Sequence, residues 1–457
     1  MSSITAALIR RYDRPGPRYT SYPTAAEFHS GIDASRYHQH LCQAASREQP
    51  LGLYIHLPFC AERCLYCGCN VVITRKRAVA EHYLEILARE IRMVAERLGD
   101  RRRLRQLHWG GGTPTYLTPA ELRALAACIR QEFDLDPGAE VAIEIDPRVT
   151  TREHLEALRE LGFNRLSLGV QDFTPEVQEL IHRVQSYEQT AELIETARNL
   201  GFASINLDLI YGLPLQTPET FVATLRQVTA LRPQRVAVYS YAHVPWLKVQ
   251  QRRIPAETLP APEVKLELLA EAIHAFHGAG YRAIGMDHFA LPEDELGRAL
   301  DDGSLWRNFM GYTVRQAPDM VACGMSGISD VAGAYFQNES KLIRYQHAIE
   351  QGRLATARGV ALSADDLLRR HVITALMCTF RLSFADVERR FDIDFARTFP
   401  RELEALETLE IDGFLKRSDT GIDVTGLGRL FVRNVCMVFD AYLERAQANG
   451  QRFSRTV

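Results

Sequence analysis

The chain has 457 residues, 46% of them hydrophobic and 24% charged, with a formal net charge of -3. That length exceeds what one core usually organises, and the charge gives no general pull toward nucleic acid or anionic membrane. No stretch approaches the roughly twenty apolar residues of a membrane helix, and no apolar core with a cleavage site follows the first arginines, so the expected compartment is the cytoplasm.

Residues 1–45 read as an N-terminal arm carrying Arg10, Arg11, Arg14 and Arg18 beside Tyr19 and Tyr22. Six strands are then predicted at 51–56, 104–109, 140–146, 163–169, 204–210 and 235–241. Runs such as Val236-Ala237-Val238-Tyr239 are apolar nearly throughout, which suits a parallel sheet covered on both faces. Helices fill the gaps. Leu84, Leu87, Ile91, Val94 and Leu98 recur at helical spacing before Gly99. Thr118-Pro119-Ala120-Glu121 offers a capping box, Thr150 with Glu153 opens a helix ending near Gly162, and Thr217-Pro218 opens another. This alternation predicts a parallel α/β domain over residues 46–360. Six units suit a partial barrel with an open side, although an open sheet also places its site at the strands' C-terminal edge. Residues 361–457 read as a mainly helical, winged-helix-like domain with a hairpin about Asp419-Thr420-Gly421, more simply a cap than a DNA reader.

Of nine cysteines, Cys42, Cys128, Cys323, Cys378 and Cys436 are scattered, whereas Cys60, Cys64, Cys67 and Cys69 crowd the loop after the first strand. An odd count without a secretory signal argues against a disulfide framework. The Cys-x3-Cys-x2-Cys spacing of Cys60, Cys64 and Cys67 can hold three irons of a four-iron cluster and leave the fourth open. Electron-transfer clusters usually have four cysteine ligands, and structural zinc usually draws on a second pair that this chain lacks. Zinc on the three cysteines with His56 is the alternative. Gly110-Gly111-Gly112 after the second strand would let backbone approach a ligand, or simply make a tight turn. Glu144, ending the third strand behind the apolar Val141-Ala142-Ile143, reads as a pocket rim.

The cysteine loop after the first strand resembles the radical S-adenosylmethionine superfamily. More narrowly, Cys60-x3-Cys-x2-Cys-Gly-Cys-Asn70, Arg18-Tyr19-Thr20-Ser21-Tyr22-Pro23-Thr24, the segment from Asn206 to Pro214, and Gly285-Met286-Asp287-His288 resemble the oxygen-independent coproporphyrinogen III oxidases (dehydrogenases). The resemblance implies a partial (β/α)6 TIM-like barrel, a [4Fe-4S] cluster on Cys60, Cys64 and Cys67, and two S-adenosylmethionine molecules. It implies a 5'-deoxyadenosyl radical that drives oxidative decarboxylation of two propionates of coproporphyrinogen III to the vinyls of protoporphyrinogen IX, in haem synthesis. Tyr54, Gly111, Glu144 and Ile328 would contact the cluster-bound S-adenosylmethionine. Tyr66, Gly112, Thr113, Gln171, Arg183, Asp208 and Ala242 would contact the second. Tyr66 stands where the family often has phenylalanine, and Met325 and Gly327 depart from the family near Ile328. Arg183 as a helix-surface cation and Asp208 as a strand end are the plainer readings.

Cys69 would close the open iron if it were a ligand, so it is expected beside the second cofactor or substrate, as a catalytic residue. The arginines of the arm would help to hold the carboxylates of the substrate over the barrel mouth, unless the arm is merely solvated. A reductant, an electron acceptor and a monomeric state are expected, with no nucleic-acid or membrane partner. A haem-trafficking relative is the alternative function, although such relatives typically lack the fourth cysteine and the tyrosine-rich arm. A simple electron carrier would not need the glycine segment or Glu144.

Overall fold

The structure, a computed structural model, describes residues 6–448 and residue 453. The chain divides into two compact units, one of His29–Gly280 with Arg315–Ala361, the other of Met1–Phe28, Tyr281–Val314 and Leu362–Val457.

In the larger unit, helix α1 (Ala34–Ala45) leads into β1 (Leu51–Leu57), α2 (Arg77–Leu98), β2 (Arg103–Gly111), α3 (Pro119–Glu132) and β3 (Asp134–Ile145). There follow α4 (Arg152–Glu160), β4 (Arg165–Gln171), α5 (Tyr187–Asn199), β5 (Ser204–Tyr211), α6 (Pro218–Leu231), β6 (Arg235–Ser240) and α7 (Pro262–Gly278). Strands β1 to β6 pair in parallel and in chain order, the α/β architecture expected. They do not close on β1, whose other neighbour is the parallel strand β7 (Met320–Cys323). An antiparallel extension continues from it through β8 (Ile328–Val331), β9 (Ala334–Asn338) and β10 (Thr356–Ala361), with α8 (Leu342–Glu350) between the last two.

Alternation along each strand separates core from site. Leu53, Ile55, Trp109, Ile143, Leu168, Ile205 and Leu207 are at most 1% exposed and face the core. The intervening residues, Tyr54, His56, His108, Glu144, Ser167, Asn206 and Asp208, share the other face of the sheet. The strands are therefore less uniformly apolar than their sequences suggested, and the polar face gathers near their C-terminal ends. The Thr118–Glu121 capping box forms. The next helix starts one residue later than predicted: Thr151 caps it and its N–H donates to His154 Nδ1 (3.2 Å). Thr150 is not free to cap, because its hydroxyl donates to the Asp146 carbonyl (2.8 Å) and lies 2.9 Å from Thr115 Oγ1.

The smaller unit holds the hairpins Arg282–Gly285/His288–Ala290 and Trp306–Asn308/Gly311–Thr313, helices Ala364–Cys378 and Pro400–Ile411, and a sheet of Arg381–Ser383, Gly421–Val424 and Leu415–Ser418. Its N-terminal segment is not a solvated tail. Arg11 pairs with Asp412 (2.9 Å), Arg18 with Asp287, and Tyr19 donates to Asp440 (2.9 Å). Arg433 Nε donates to the Pro17 carbonyl (3.0 Å). Among the described residues no helix is long and apolar enough to cross a membrane.

Candidate active site

The C-terminal ends of β1 to β6 wall one cavity. Cys60, Cys64, Tyr66, Cys67 and Cys69 line it from the loop after β1, and Gly111, Gly112 and Thr113 from β2 and its turn. Glu144, Gln171, Arg183, Asp208 and Ala242 complete the set that the structure brings together. Tyr54 and Ile328 are not among its lining residues. Tyr54 instead stacks on His108, which reaches Glu144 Oε1 (3.4 Å), so it meets the cavity at second hand. Ile328 lies on β8, just after Ser326, whose hydroxyl is 3.5 Å from His56 Nε2.

The cysteine loop is fastened at several points. Cys60 pairs with Ile73 in a short parallel bridge. Leu65 packs among Val177, Ile181, Ile210 and Leu213 and donates its N–H to the Ile181 carbonyl (2.9 Å). Gln251, 1% exposed, donates Nε2 to the carbonyls of Tyr66 (2.9 Å) and Ala242 (3.2 Å). Neither Gln251 nor its neighbour Gln250, which holds the Cys67 carbonyl (2.6 Å), stood out in the sequence, because a glutamine in a loop carries no periodic or spacing signal.

Each thiol has its own surroundings. Cys60 Sγ lies 3.4 Å from Thr113 Oγ1, and burial pushes its thiol up to about 11. Cys64 Sγ accepts from Arg148 Nη2 (3.6 Å) and Arg183 Nη1 (3.8 Å). A hydrogen bond from the Cys69 thiol, aided by the Cys69 N–H (3.4 Å), brings Cys67 down to about 6. The same bond, reinforced by desolvation, pushes Cys69 well above its ordinary value. Of the two, Cys69 is the one driven toward the thiol form.

The glycines are needed by the protein's own packing. A Cβ on Gly110 would lie 2.8 Å from Glu144 Oε1, one on Gly111 (φ 118°) 2.6 Å from the His56 ring, and one on Gly112 2.6 Å from the Pro58 backbone. Their absence brings the β2 turn against the cysteine loop and lets the Gly111 N–H donate to Glu144 Oε2 (3.0 Å). Burial would raise the Glu144 carboxyl, but the His108 hydrogen bond and charge, with this N–H, hold it below its ordinary value. It stays ionised and faces the cavity.

Arg183 is 6% exposed, which removes the helix-surface reading. It pairs with Asp146 (3.1 Å), which also binds Arg148 (2.7 Å). Its Nε is buried with no hydrogen-bond partner among the described residues, while the residue itself lines the cavity. Asp208 accepts from Ser167 (3.1 Å) and Asn206 (2.8 Å), and desolvation with the nearby Glu144 charge raises it to about 6. Burial raises the Tyr66 hydroxyl well above its ordinary value, with Arg183 the main charge opposing it. Gln171 adopts φ 70°, a left-handed turn at the end of β4 that aims it at the cavity.

The donor set fits a cluster better than a single ion. His56 is committed on both sides: Nε2–H donates to the Asn70 carbonyl (3.1 Å), so Nδ1 accepts from the Tyr54 hydroxyl (3.1 Å). It therefore has no nitrogen free for zinc. Among the described residues no three His, Cys, Asp or Glu side chains converge on a one-ion site. Three soft thiol ligands around a shared cavity suit iron and sulfide spread over several metal positions.

Residues 54–228 match the family model described as Radical SAM superfamily, and residues 362–431 that described as HemN C-terminal domain. The chain is 49% identical to the oxygen-independent coproporphyrinogen III oxidase of Pseudomonas aeruginosa, over 99% of this chain and 98% of that one. It is 41% identical to the protein of the same name from Helicobacter pylori (strain J99), over 100% of both. A solved structure described as "Coproporphyrinogen III oxidase (HemN) from Escherichia coli is a Radical SAM enzyme" superposes with a TM-score of 0.92 at 44% identity, covering 96% of this chain and 99% of that one. The chain belongs to the oxygen-independent coproporphyrinogen III oxidase family of radical SAM enzymes.

Proposed function

We propose that this chain converts coproporphyrinogen III to protoporphyrinogen IX without oxygen, by oxidative decarboxylation of two propionates, as an oxidoreductase of haem synthesis in the cytoplasm. The observation that carries this reading is the single cavity shared by Cys60, Cys64 and Cys67, an ionised Glu144 and the buried Arg183–Asp146 pair. When bound, a [4Fe-4S] cluster with S-adenosylmethionine supplies a 5'-deoxyadenosyl radical able to take a hydrogen from the carbon β to a propionate carboxylate.

Cys60, Cys64 and Cys67 would hold the cluster, and the arginines on Cys64 would donate to its sulfur. Glu144, with acceptor capacity left toward the cavity, would take hydrogen bonds from ribose hydroxyls of the cluster-bound S-adenosylmethionine, with Gly111 beside it, Tyr54 supporting it through His108, and Ile328 on its apolar side. Tyr66, Gly112, Thr113, Gln171, Arg183, Asp208 and Ala242 would contact a second molecule. Arg183 would bring a fixed positive charge to the cavity wall for a carboxylate. Cys69 would stay a thiol near that molecule or the substrate, able to donate a hydrogen.

The deciding experiment is an anaerobic assay of the reconstituted, reduced protein with S-adenosylmethionine and coproporphyrinogen III. Formation of protoporphyrinogen IX with 5'-deoxyadenosine is expected, whereas tight haem binding without decarboxylation would replace this reading with the trafficking one. Equilibrium binding should count two S-adenosylmethionine molecules per chain. Cys69→Ala should keep full iron content and lose turnover, and loss of the cluster itself would show that Cys69 is a ligand.

A further inference from the structure

The segment between β6 and α7 has two differently built sides. Val244 and Gln251 line the cavity. Trp246, Leu247 and Val249 do not, and they are 48%, 67% and 63% exposed. Between these sides the segment grips the cysteine loop: Lys248 Nζ reaches the Cys69 carbonyl (3.5 Å) and Gln250 Nε2 the Cys67 carbonyl (2.6 Å). The exposed side therefore lies one or two residues from atoms bonded to the loop that carries the cluster ligands.

Its charge is mainly positive, with the exposed Glu257 at its far end. From 242 to 256 the only fully charged residues are Lys248, Arg252 and Arg253, the two arginines being exposed. Arg63 adds a further exposed cation and reaches Gln250 Oε1 (3.4 Å). Glu62, the acid beside it, is already paired with Arg75 (2.5 Å). Large apolar residues ringed by cations mark an interaction patch.

We propose that the outer side of Trp246, Leu247, Val249, Arg252 and Arg253 is the docking surface for a small acidic protein that delivers single electrons to the cluster. The inference rests on the cavity being the cluster site. Electron tunnelling falls steeply with distance, so a protein donor must seat itself over the cysteine loop, and this patch is fastened to it. The reduced carrier gives up one electron and the cluster accepts it, with no bond made or broken and no proton moved. An anionic substrate would also favour cations, and Arg63 does line the cavity, but Trp246, Leu247, Val249, Arg252 and Arg253 are not part of its wall. Electrostatic steering of this kind raises association rates and weakens with salt.

The test uses the reconstituted holoenzyme, with reduced flavodoxin as the acidic carrier and dithionite as the small-molecule control, following cluster reduction by stopped-flow absorbance and electron paramagnetic resonance. The double variant Arg252→Glu/Arg253→Glu, and separately Leu247→Asp, should slow flavodoxin-driven reduction about tenfold, and the double variant should flatten its salt dependence. Dithionite-driven reduction and 5'-deoxyadenosine formation should be unchanged. Flavodoxin rates equal to those of the unaltered protein would overturn the proposal. So would loss of dithionite-driven turnover with an intact cluster, which would assign the patch to substrate. Dimerisation abolished by Leu247→Asp with an unaltered flavodoxin rate would assign it to a second copy and also overturn it. If the unaltered, reduced holoenzyme forms no 5'-deoxyadenosine with coproporphyrinogen III, it is the catalytic reading that fails, and the reduction rates still decide the docking question.

Discussion

Glu90 and Glu144 both belong to the larger unit, one against the turn after β7 and one at the cavity, and their surroundings separate a saturated carboxylate from one left open. Glu90, on α2 and 1% exposed, accepts from the Gly324 N–H (2.6 Å), Asn338 Nδ2 (2.6 Å) and the Tyr345 hydroxyl (2.7 Å). Burial raises its carboxyl, with these three donors pulling the other way. From the same helix, Tyr83 donates to the His56 carbonyl (2.7 Å) and accepts from the Met325 N–H (3.1 Å). Together they prop the end of β1 and the turn before Ile328. Glu144 has His108 and the Gly111 N–H on its protein side and open capacity toward the cavity. A buried carboxylate saturated by protein donors builds the frame, and one left partly unsatisfied beside a cavity is free to hold a ligand.

The largest effect should come from Glu90→Ala, which strands three buried donors and should cost about 3 kcal/mol in urea unfolding of the apo-protein. A loss below about 1 kcal/mol would erase the contrast. Asp208 gives an intermediate case. Its folded value of about 6 lies above the roughly 3.9 of an unfolded aspartate, so the native state binds the extra proton between them. Stability should therefore fall as pH rises from about 4 to 6 and stay reduced above it. Asp208→Asn should recover on the order of 2 kcal/mol at pH 8 and nothing at pH 4, read from unfolding curves at both. The smallest effect belongs to Glu144→Gln, which should raise the KM for S-adenosylmethionine roughly tenfold while moving unfolding stability by under about 1 kcal/mol. A stability loss matching that of Glu90→Ala would make Glu144 architectural too.

The same two residues show what could be read in advance. Glu144 was legible because it ends a strand whose apolar run makes a charge conspicuous. Glu90 was not, since Arg89-Glu90-Ile91-Arg92 looks like the wet stripe of an amphipathic helix, and its partner Gly324 lies 234 residues further on. The six parallel strands were legible within a few residues, because each is a short apolar run followed by its functional residue. The β7–β10 extension was missed. Its strands are only four to six residues long, too short for alternation to stand out, even though Gly324 and Gly333 at positive φ mark its turns. That Cys60, Cys64 and Cys67 share one cavity was legible from their spacing, whereas Gln250 and Gln251, which secure their loop, work through backbone carbonyls and leave no such trace.

The smaller unit joins segments that lie far apart along the chain. Arg433 Nε holds the Pro17 carbonyl across 416 residues, and Tyr12 bonds Asp412 across 400. During synthesis Pro17 must wait for Arg433, roughly 20 to 80 seconds at 5–20 residues per second. Residues 29–280 can meanwhile gather their chain-ordered parallel strands, but β7, their neighbour on the β1 side, arrives only with residue 320. Maturation therefore has a built-in order in which the cysteine loop exists long before the smaller unit can form, and a chain ended before residue 412 would leave Tyr12 and Pro17 without Asp412 and Arg433.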